Sequence, residues 1–277
     1  MAGSAQAAFS RAAETYDAAA VLAQEVGRRM AERLAYVRIE PRRVADVGCA
    51  TGDGVYGLIQ HYPKALPLAV DYALPMLQAV RARSGFFDRL RGKAPRLLNA
   101  DVGQLPLAAM GLDLVWSNLM LHWLDDPLPA FRELHRVLAV SGLLTFSMLG
   151  PDTLKEIRRA CEACGIAPSL RRFHDMHDVG DMLVAAGFAD PVMDMETITL
   201  TYRSPRGLLR DQRHLGVRDA LLGRRPWRQW RQVFAAWPRL EGLLPATFEI
   251  VYGHAWKPEP KVVADGRAIM TFHKSRP

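Results

Sequence analysis

Cysteine and long apolar runs are both scarce in this chain of 277 residues. Its three cysteines favour a reducing compartment over a disulfide scaffold. Cys161 and Cys164 form the spacing C-E-A-C, but no second pair and no histidine ligands lie nearby in sequence, so we expect helix residues rather than a metal or redox site. No apolar run has the length that a membrane-spanning helix needs, and we expect no membrane partner.

Targeting signals and low-complexity segments are also lacking. The opening residues M-A-G-S-A-Q-A-A-F-S have neither the basic start nor the apolar core of a signal peptide. Glu14, Asp17 and Glu25 count against a mitochondrial transit peptide, which is poor in acidic residues. No interleaved aromatic and basic motif of the RNA-binding kind is present, which argues against a nucleic-acid partner. We therefore expect a cytoplasmic protein.

The composition is that of a globular protein with a basic charge. Hydrophobic residues make up 49% of the chain, charged residues make up 23%, and the formal net charge is +7. Arginine heavily outnumbers lysine. A basic surface favours an acidic partner, and charge alone leaves nucleic acid, a phosphorylated ligand and an acidic protein as possibilities.

Apolar, β-branched stretches alternate with amphipathic ones along the chain. This alternation predicts an α/β fold, with a parallel sheet and helices on both faces. The predicted strands cover residues 44–47, 66–70, 96–100, 112–117, 143–148, 192–202 and 248–256. The predicted helices cover residues 13–36, 53–61, 74–83, 129–138 and 178–187, the last closed by its glycine.

Two segments depart from a plain α/β core, which gives four predicted parts. They are an N-terminal lid helix (1–40), the α/β core (41–203), a helical insert or cap (204–244), and the last strand with a loosely held tail (245–277). In the insert, Trp227, Trp230, Val233, Phe234 and Trp237 fall at helical spacing, so we expect a helix that buries them. Its polar face would carry Arg224, Arg225, Arg228 and Arg231 and is placed to dock an acidic partner.

The most informative stretch is residues 44–54, V-A-D-V-G-C-A-T-G-D-G. A short buried strand breaks into Gly48, Gly52 and Gly54, where the backbone turns tightly and lies close to a ligand. The following helix directs its free N–H groups at the same point. The next strand ends on Asp71, whose carboxylate suits the two hydroxyls of a ribose. This layout predicts a nucleoside cofactor.

Two cofactors compete for this layout. The dinucleotide pattern G-x-G-x-x-G fits residues 52–57, but it begins after the strand has ended and directs Asp53 at the pyrophosphate. The register Asp46-x-Gly48-x-Ala50-x-Gly52 resembles motif I of class I S-adenosylmethionine (SAM) methyltransferases. SAM carries no phosphate, so an acidic residue in the loop is tolerable. SAM is therefore the favoured cofactor, and a tight turn without any ligand is the main alternative.

Later strand ends add candidates, because ligands in open α/β sheets bind at the carboxyl ends of the strands. Asp101 is placed to accept from the adenine amino group, with Val102 against the ring, although an aspartate there also caps its own turn. Asn118 would lie beside the methionine part of SAM or act as a simple turn residue, and His122 and Trp123 follow where an acceptor should enter. The predicted cofactor contacts are Asp46, Gly48, Cys49, Gly52, Asp71, Tyr72, Met76, Asp101, Val102 and Asn118.

Several longer stretches carry a family resemblance. They are F-S-R-A-A-E-T-Y-D (9–17), D-V-G-C-A-T-G (46–52), S-N-L-M-L-H-W (117–123), F-R-E-L-H-R-V-L (131–138), G-P-D-T-L-K-E (150–156), D-M-H-D-V-G-D-M-L (175–183), G-F-A-D-P-V-M-D-M-E (187–196) and L-P-A-T-F-E-I-V-Y-G-H-A-W-K-P (244–258). Through them the chain resembles the malonyl-acyl-carrier-protein O-methyltransferases of biotin synthesis over nearly its full length. The glycine loop is generic to the superfamily, whereas the last four stretches are far more specific. The chain departs from the family at Ala50, where a glycine is usual, and at residues 139–142, A-V-S-G in place of R-P-G-G.

The resemblance implies a class I SAM-methyltransferase (Rossmann-like) fold and a carboxyl methylation. SAM would methylate the free carboxylate of malonyl on an acidic acyl-carrier protein, or of malonyl-CoA, giving the ester that primes pimeloyl and biotin synthesis. No general base is needed, because a carboxylate is already ionised at neutral pH. Positioning and a lid that excludes water would supply most of the catalysis. The candidates for orienting the acceptor are Tyr16, His122, Arg171 and Arg172, although the two arginines also fit an exposed loop pair.

Three other functions remain open from the sequence. One is a SAM-using protein arginine hydroxylase resembling the mitochondrial complex I assembly factors, which share the same family-like stretches. Another is an RNA or small-molecule methyltransferase, in which the basic residues would bind phosphate groups. The third is a non-catalytic SAM-binding partner protein, against which the acids at Asp46, Asp71 and Asp101 argue.

Overall fold

A seven-stranded sheet forms the centre of the molecule, in the order β3-β2-β1-β4-β5-β7-β6. The computed structural model describes residues 2–85 and 94–260. Strands β1 to β5 run parallel to one another, and β7 runs antiparallel to both β5 and β6. The strands are β1 Arg43–Val47, β2 Leu66–Asp71, β3 Arg96–Asn99, β4 Leu112–Ser117, β5 Leu138–Leu149, β6 Ala189–Tyr202 and β7 Leu244–Trp256. The predicted α/β, Rossmann-like fold is confirmed.

Helices lie on both faces of this sheet, as crossover connections between parallel strands require. Within the described residues the α-helices are α1 Ala2–Ala12, α2 Val21–Leu34, α3 Asp53–His61, α4 Leu74–Arg83, α5 Leu128–Val137, α6 Lys155–Ala163, α7 Met176–Ala185, α8 Pro205–His214, α9 Arg218–Leu222 and α10 Trp227–Ala236. A short 3-10 turn, Leu121–Trp123, follows β4. The strand order reverses between β1 and β4, which is where open α/β sheets form ligand clefts.

The core consists of an apolar layer on each face of the sheet. Residues 44–47 of β1 are all buried, because a central parallel strand is covered on both faces. One layer contains Trp116, Ile157 and Trp230, and the other contains Phe131 and Phe146, whose ring centroids lie 5.4 Å apart. Because apolar layers cover both faces, the carboxyl ends of β1, β2 and β4 are held together at one end of the sheet, where the loops meet.

The N-terminal region differs from the single helix predicted over residues 13–36. Helix α1 ends at Ala12, turns occupy residues 13–20, and α2 begins at Val21. The Thr15 hydroxyl donates to the carbonyls of Ala12 and His214, and the Asp17 carboxylate accepts from the Thr51 hydroxyl. Side chains of this kind compete with helical backbone hydrogen bonds, and here they redirect the chain over the sheet edge.

Strand β5 also begins earlier than predicted, at Leu138 rather than residue 143. Its first part is irregular: Ser141 has a φ of +59° and the register with β4 shifts between Leu112 and Leu114. The Ser141 N–H donates to the Lys257 carbonyl at 2.8 Å, which keeps this part in the sheet. The sequence A-V-S-G therefore forms a bulged strand entry, far from the end of β4 where the loops meet.

The insert between β6 and β7 consists of α8, α9 and α10. In α10 the side chains of Trp230 and Val233 are buried, and Trp237 is buried just beyond its end, as the spacing predicted. Phe234 stacks on Trp230 with centroids 5.1 Å apart. Trp227 departs from this pattern, because it is 60% exposed.

Two results concern metal binding and membrane-spanning helices. In residues 2–85 and 94–260, no group of three or more histidine, cysteine or acidic residues is arranged to hold a metal ion. No helix among the described residues has both the length and the hydropathy to cross a membrane. Cys161 lies in α6, Cys164 follows it, and both are free thiols. Most of the predicted loose tail, residues 261–277, lies outside the described residues.

Candidate active site

The glycine loop after β1 is fixed by backbone hydrogen bonds to β2. The N–H groups of Gly48 and Cys49 both donate to the Val70 carbonyl, at 2.8 and 3.1 Å. Gly48 has a φ of +77°, and a Cβ there would lie 2.2 Å from Met120 Cγ, so only glycine fits. Gly52, with a φ of +99°, caps the start of α3. The loop is thus a tight strand–helix turn whose backbone is open to the cleft.

Asp71 closes this turn from the end of β2. Its Oδ2 accepts from the Ala50 N–H at 2.9 Å and its Oδ1 from the Ala73 N–H at 2.8 Å. Burial raises the pKa of Asp71, and these backbone donors oppose that shift. Each carboxylate oxygen accepts one backbone bond and has a second acceptor site, so the group can also accept from a ligand hydroxyl.

Asp46, Cys49 and Gly52 lie behind the loop rather than on the cleft. The Asp46 side chain is 2% exposed and sits below the start of α3, where a Cβ on Gly54 would lie 2.5 Å from its Oδ2. Burial raises the pKa of Asp46 to about 8, against the opposing hydrogen bond from the Val55 N–H. These three residues build the turn, and their predicted contact with a cofactor stays a prediction.

A single large cavity of about 1490 Å³ extends from the loop toward the insert. Several of the predicted cofactor residues line it: Gly48, Asp71, Tyr72, Met76, Asp101, Val102 and Asn118. Three of the four acceptor candidates, Tyr16, His122 and Arg171, line it as well, whereas the exposed Arg172 does not. Ligand pockets usually have volumes of about 300–1,000 Å³, so this cavity has room for a cofactor and a second ligand.

The roof of the cavity is formed by the N-terminal segment and the α8–α9 turn. Gln6 Nε2 donates to the Tyr72 carbonyl at 2.9 Å, next to Asp71. The Thr15 hydroxyl donates to the His214 carbonyl at 3.0 Å. Asn118 Nδ2 donates to the Ala23 carbonyl at 2.8 Å and its Oδ1 accepts from Ser147, so this side chain ties α2 to the sheet edge. The segment thus lies over the cavity, and the lid role predicted for residues 1–40 stays a prediction.

His122 is a neutral hydrogen-bond donor on the cavity wall. It is 4% exposed, and its Nδ1 accepts from the Leu149 N–H at 3.3 Å, which leaves the proton on Nε2. Nε2 has no partner among the described residues. Burial, assisted by the charge of Arg171, lowers the pKa of His122 to about 3. His122 is thus an uncharged N–H donor and not a cation.

Arg171 supports the turn that carries His122. Its Nε donates to the His122 carbonyl at 3.1 Å, and its Nη2 donates to the carbonyls of Trp123 and Leu124, each at 3.1 Å. The Asp125 carboxylate accepts a further bond at 3.3 Å. Most of its donors are therefore committed to the 3-10 turn, which makes Arg171 a support for His122. Its predicted contact with the acceptor stays a prediction.

Tyr16 reaches the cavity from the turn between α1 and α2. Burial and the charges of Asp71 and other nearby acids raise the pKa of its hydroxyl above the usual value, so it stays protonated. It therefore offers a second uncharged donor to the cavity.

Comparisons with known proteins agree with this geometry. The family of methyltransferase domains matches residues 45–146, the part that holds the loop, Asp71 and β4. A malonyl-[acyl-carrier protein] O-methyltransferase of Gallionella capsiferriformans is 51% identical over 273 residues, which cover 95% of this chain and 93% of that protein.

The chain belongs to the malonyl-[acyl-carrier protein] O-methyltransferase family. Solved structures with lower identity support the fold alone. YcgJ of Bacillus subtilis aligns with a TM-score of 0.58 and 15% identity over 85% of this chain and 99% of that one. A Haemonchus contortus phosphoethanolamine N-methyltransferase, solved with S-adenosylhomocysteine, aligns with a TM-score of 0.54 and 15% identity over 84% of this chain and 52% of that one.

Two arginines line the cavity without having been identified as ligand contacts by the sequence or by membership of this family. They are Arg11 and Arg213, and neither was assigned to a ligand from the sequence, although Arg11 lies in the family-like stretch 9–17. They come together because α1 folds back onto the α8–α9 turn, where a Cβ on Gly216 would lie 2.7 Å from the Ala8 carbonyl oxygen. A contact between segments so distant in the chain leaves no local signal in the sequence.

Proposed function

We propose that the protein transfers the methyl group of SAM to the free carboxylate of a malonyl group on an acyl-carrier protein. One observation carries the proposal: in a chain of this family, a single cavity holds both a ribose acceptor, Asp71, and an unpartnered neutral donor, His122. The first suits the nucleoside of the cofactor, and the second suits an anionic acceptor.

The residues present fit SAM as the cofactor. Asp71 has acceptor sites for both ribose hydroxyls, and the absent Cβ of Gly48 leaves the turn open. Asp101 binds its own loop through Oδ1, which accepts from the Gly103 N–H at 2.8 Å. Its Oδ2 accepts no hydrogen bond from residues 2–85 or 94–260 and suits the adenine amino group. When bound, SAM supplies an electrophilic methyl group on a sulfonium centre. A dinucleotide fits less well, because Asp53 forms the first turn of α3 and would repel a pyrophosphate there.

The acceptor carboxylate requires orientation and removal of water. No base is needed, because a carboxylic acid with a pKa of about 4 is ionised at neutral pH. The Nε2–H of His122 can hold one carboxylate oxygen without the charge that would quench its nucleophilicity. The Tyr16 hydroxyl is a second donor in the same cavity. A roof that closes over the loop would exclude water, and positioning would then supply much of the rate.

The insert supports the proposed carrier-protein partner. Arg228 and Arg231 are exposed on α10, and Arg224 is 88% exposed just before it. Arg225 differs, because its Nη2 donates to the Ala167 carbonyl at 2.7 Å and its guanidinium lies 5.0 Å from the Trp230 ring. The docking surface that we propose therefore consists of Arg224, Arg228 and Arg231 with the exposed Trp227, and it would attract an acidic carrier protein.

The test is an acceptor panel with methyl-labelled SAM. The purified protein is offered malonyl-carrier protein, malonyl-CoA, an arginine peptide and tRNA in separate reactions. We expect label on the malonyl-carrier protein that mild base removes, as a methyl ester requires. Base-stable label on tRNA, or an arginine peptide that gains oxygen while the malonyl species stay unlabelled, would contradict the proposal.

A further inference from the structure

The charges around the mouth of the cavity are unevenly paired. Asp125 faces Arg171 at 3.3 Å, and Asp219 faces both Arg218 at 2.7 Å and Arg224 at 2.9 Å. Asp211 faces Arg210 at 3.5 Å. Each of these acidic residues at the mouth therefore forms an ion pair with at least one arginine. Arg11 and Arg213 also line the cavity, and neither forms an ion pair or side-chain hydrogen bond within residues 2–85 and 94–260.

These two arginines lie on segments that touch each other. The Thr15 hydroxyl, four positions after Arg11, donates to the carbonyl of His214, which follows Arg213. The backbone at Gly216 approaches Ala8 and Ala12 on the last turns of α1, so that a Cβ would lie 3.0 Å from Ala12 Cβ. Both side chains are exposed, and both residues belong to the roof of the cavity. They supply positive charge where a second ligand enters.

The cofactor supplies a single anion, the carboxylate of its methionine part, which we expect beside Asn118 after β4. It carries no phosphate, and its nucleoside end belongs at Asp71 and Asp101. The acceptor, in contrast, has an anion at each end of its arm: the malonyl carboxylate, and the phosphodiester that joins pantetheine to the carrier protein. The carboxylate must reach His122, so the phosphodiester stays a full arm length away, near the mouth.

We propose that Arg11 and Arg213 form a binding site for the phosphate of the pantetheine arm. The inference rests on the proposed function, because it takes the acceptor to be a malonyl thioester on that arm. Guanidinium groups suit phosphate oxygens, which they bind through two parallel N–H donors. The site fixes the depth to which the arm enters and so places the malonyl carboxylate against His122.

The experiment compares two small acceptors that differ only in the phosphate, malonyl-4′-phosphopantetheine and malonyl-pantetheine. We expect the wild-type protein to have a KM about tenfold lower for the phosphorylated acceptor, which corresponds to one charge-assisted hydrogen bond. The double variant Arg11→Gln, Arg213→Gln should lose that preference and keep the wild-type KM for malonyl-pantetheine. Arg206→Gln is the matched control, because Arg206 is an exposed arginine of α8 that does not line the cavity.

Three results would overturn the site: no phosphate preference in the wild-type protein, an unchanged preference in the double variant, or an equal loss for both acceptors. An equal loss for both acceptors would mean that the arginines act at the malonyl end of the arm or stabilise the fold. If no malonyl acceptor is methylated at all, the proposed function fails separately. Calorimetry with unacylated 4′-phosphopantetheine and pantetheine then still tests the site, since tighter phosphopantetheine binding by the wild type than by the double variant supports it and equal binding refutes it.

Discussion

At the scale of single residues, His122 stands out because its neighbours leave one of its hydrogen-bonding groups unused. Its ring packs against Trp123 and Phe173, its Nδ1 is occupied, and its Nε2–H has no partner among the described residues. A buried donor left without a partner costs about 1–3 kcal/mol, so a fold retains one where a ligand completes it.

Replacement of His122 by phenylalanine keeps a ring in this packing and removes the donor. We expect kcat for malonyl-carrier protein to fall about 10- to 100-fold, the loss of one hydrogen bond to a charged group. The SAM dissociation constant should stay unchanged, and His122→Gln, which retains an N–H donor, should recover part of the rate. Full activity in the phenylalanine variant would remove His122 from the mechanism.

The neutral state of His122 also has a consequence for stability. Its pKa is about 3 in the folded protein, below the 6.5 of a free histidine, so below pH 6.5 the unfolded chain binds a proton that the folded chain does not. This group therefore lowers the free energy of unfolding as the pH falls from 6.5, by about 2 kcal/mol at pH 5. Urea titrations at several pH values should show the decline in the wild type and a shallower one in His122→Phe. Parallel curves would mean that His122 is charged when folded.

Substitutions at the loop residues Gly48 and Ala50 should have opposite effects on backbone strain. Ala50 has a φ of +45°, which costs an L-residue about 1–2 kcal/mol, so Ala50→Gly should relieve strain that offsets the added freedom of the unfolded chain. Gly48→Ala would instead force a Cβ onto Met120 and should abolish SAM binding. Denaturant midpoints and SAM titrations measure both. A large loss of stability in Ala50→Gly would contradict the assigned loop geometry.

At the scale of elements, the roof and the insert determine access to the cavity. Helix α1 is held over the loop by Gln6 and Thr15, and residues 211–221 of α8, α9 and the turn between them line the cavity. The sheet supplies the cofactor end of the cavity, and these added helices supply the acceptor end. Differences in acceptor within a shared methyltransferase fold would then arise from the helices and not from the sheet.

Charge reversal on the insert tests its part in docking. We expect the variant Arg224→Glu, Arg228→Glu, Arg231→Glu to raise KM for malonyl-carrier protein about tenfold at low salt, with a smaller effect at high salt because exposed charges are screened. SAM affinity and turnover of malonyl-pantetheine should stay at wild-type values. Arg225→Glu serves as a contrast, because its loss of bonds to Ala167 and Ser169 should lower the melting temperature. Unaltered carrier-protein kinetics in the triple variant would reject the surface.

At the scale of the whole molecule, the strands, α3 and α4 were predictable because their signals are local. Apolar runs ending in glycine or aspartate located β1 and β2, and helices 53–61 and 74–83 were predicted at their observed bounds. The break between α1 and α2 was not predictable, since it depends on bonds from Thr15 to His214 and from Asp17 to Thr51. The helices α8 and α9, and the arginines of the cavity mouth, likewise depend on contacts between distant segments.

The candidate site divides in the same way. Asp71 and Asp101 are at strand ends, so topology alone places them on the cleft. The state of His122 could not be predicted, because its neutrality follows from burial and from Arg171, which is far from it in sequence. Asp46 shows the converse: its motif suggests a ligand contact, and its burial below α3 gives it a structural place.

The most direct test of the central claim is the affinity of the protein for SAM, measured by calorimetry beside that for NAD. We expect the wild type to bind SAM and not NAD. Asp71→Asn should weaken SAM binding about 10- to 100-fold, because the charged acceptor for the ribose hydroxyls is lost. Asp190→Asn, an exposed position outside the cavity, should have no effect. Unchanged SAM affinity in Asp71→Asn, or preferential binding of NAD by the wild type, would contradict the account.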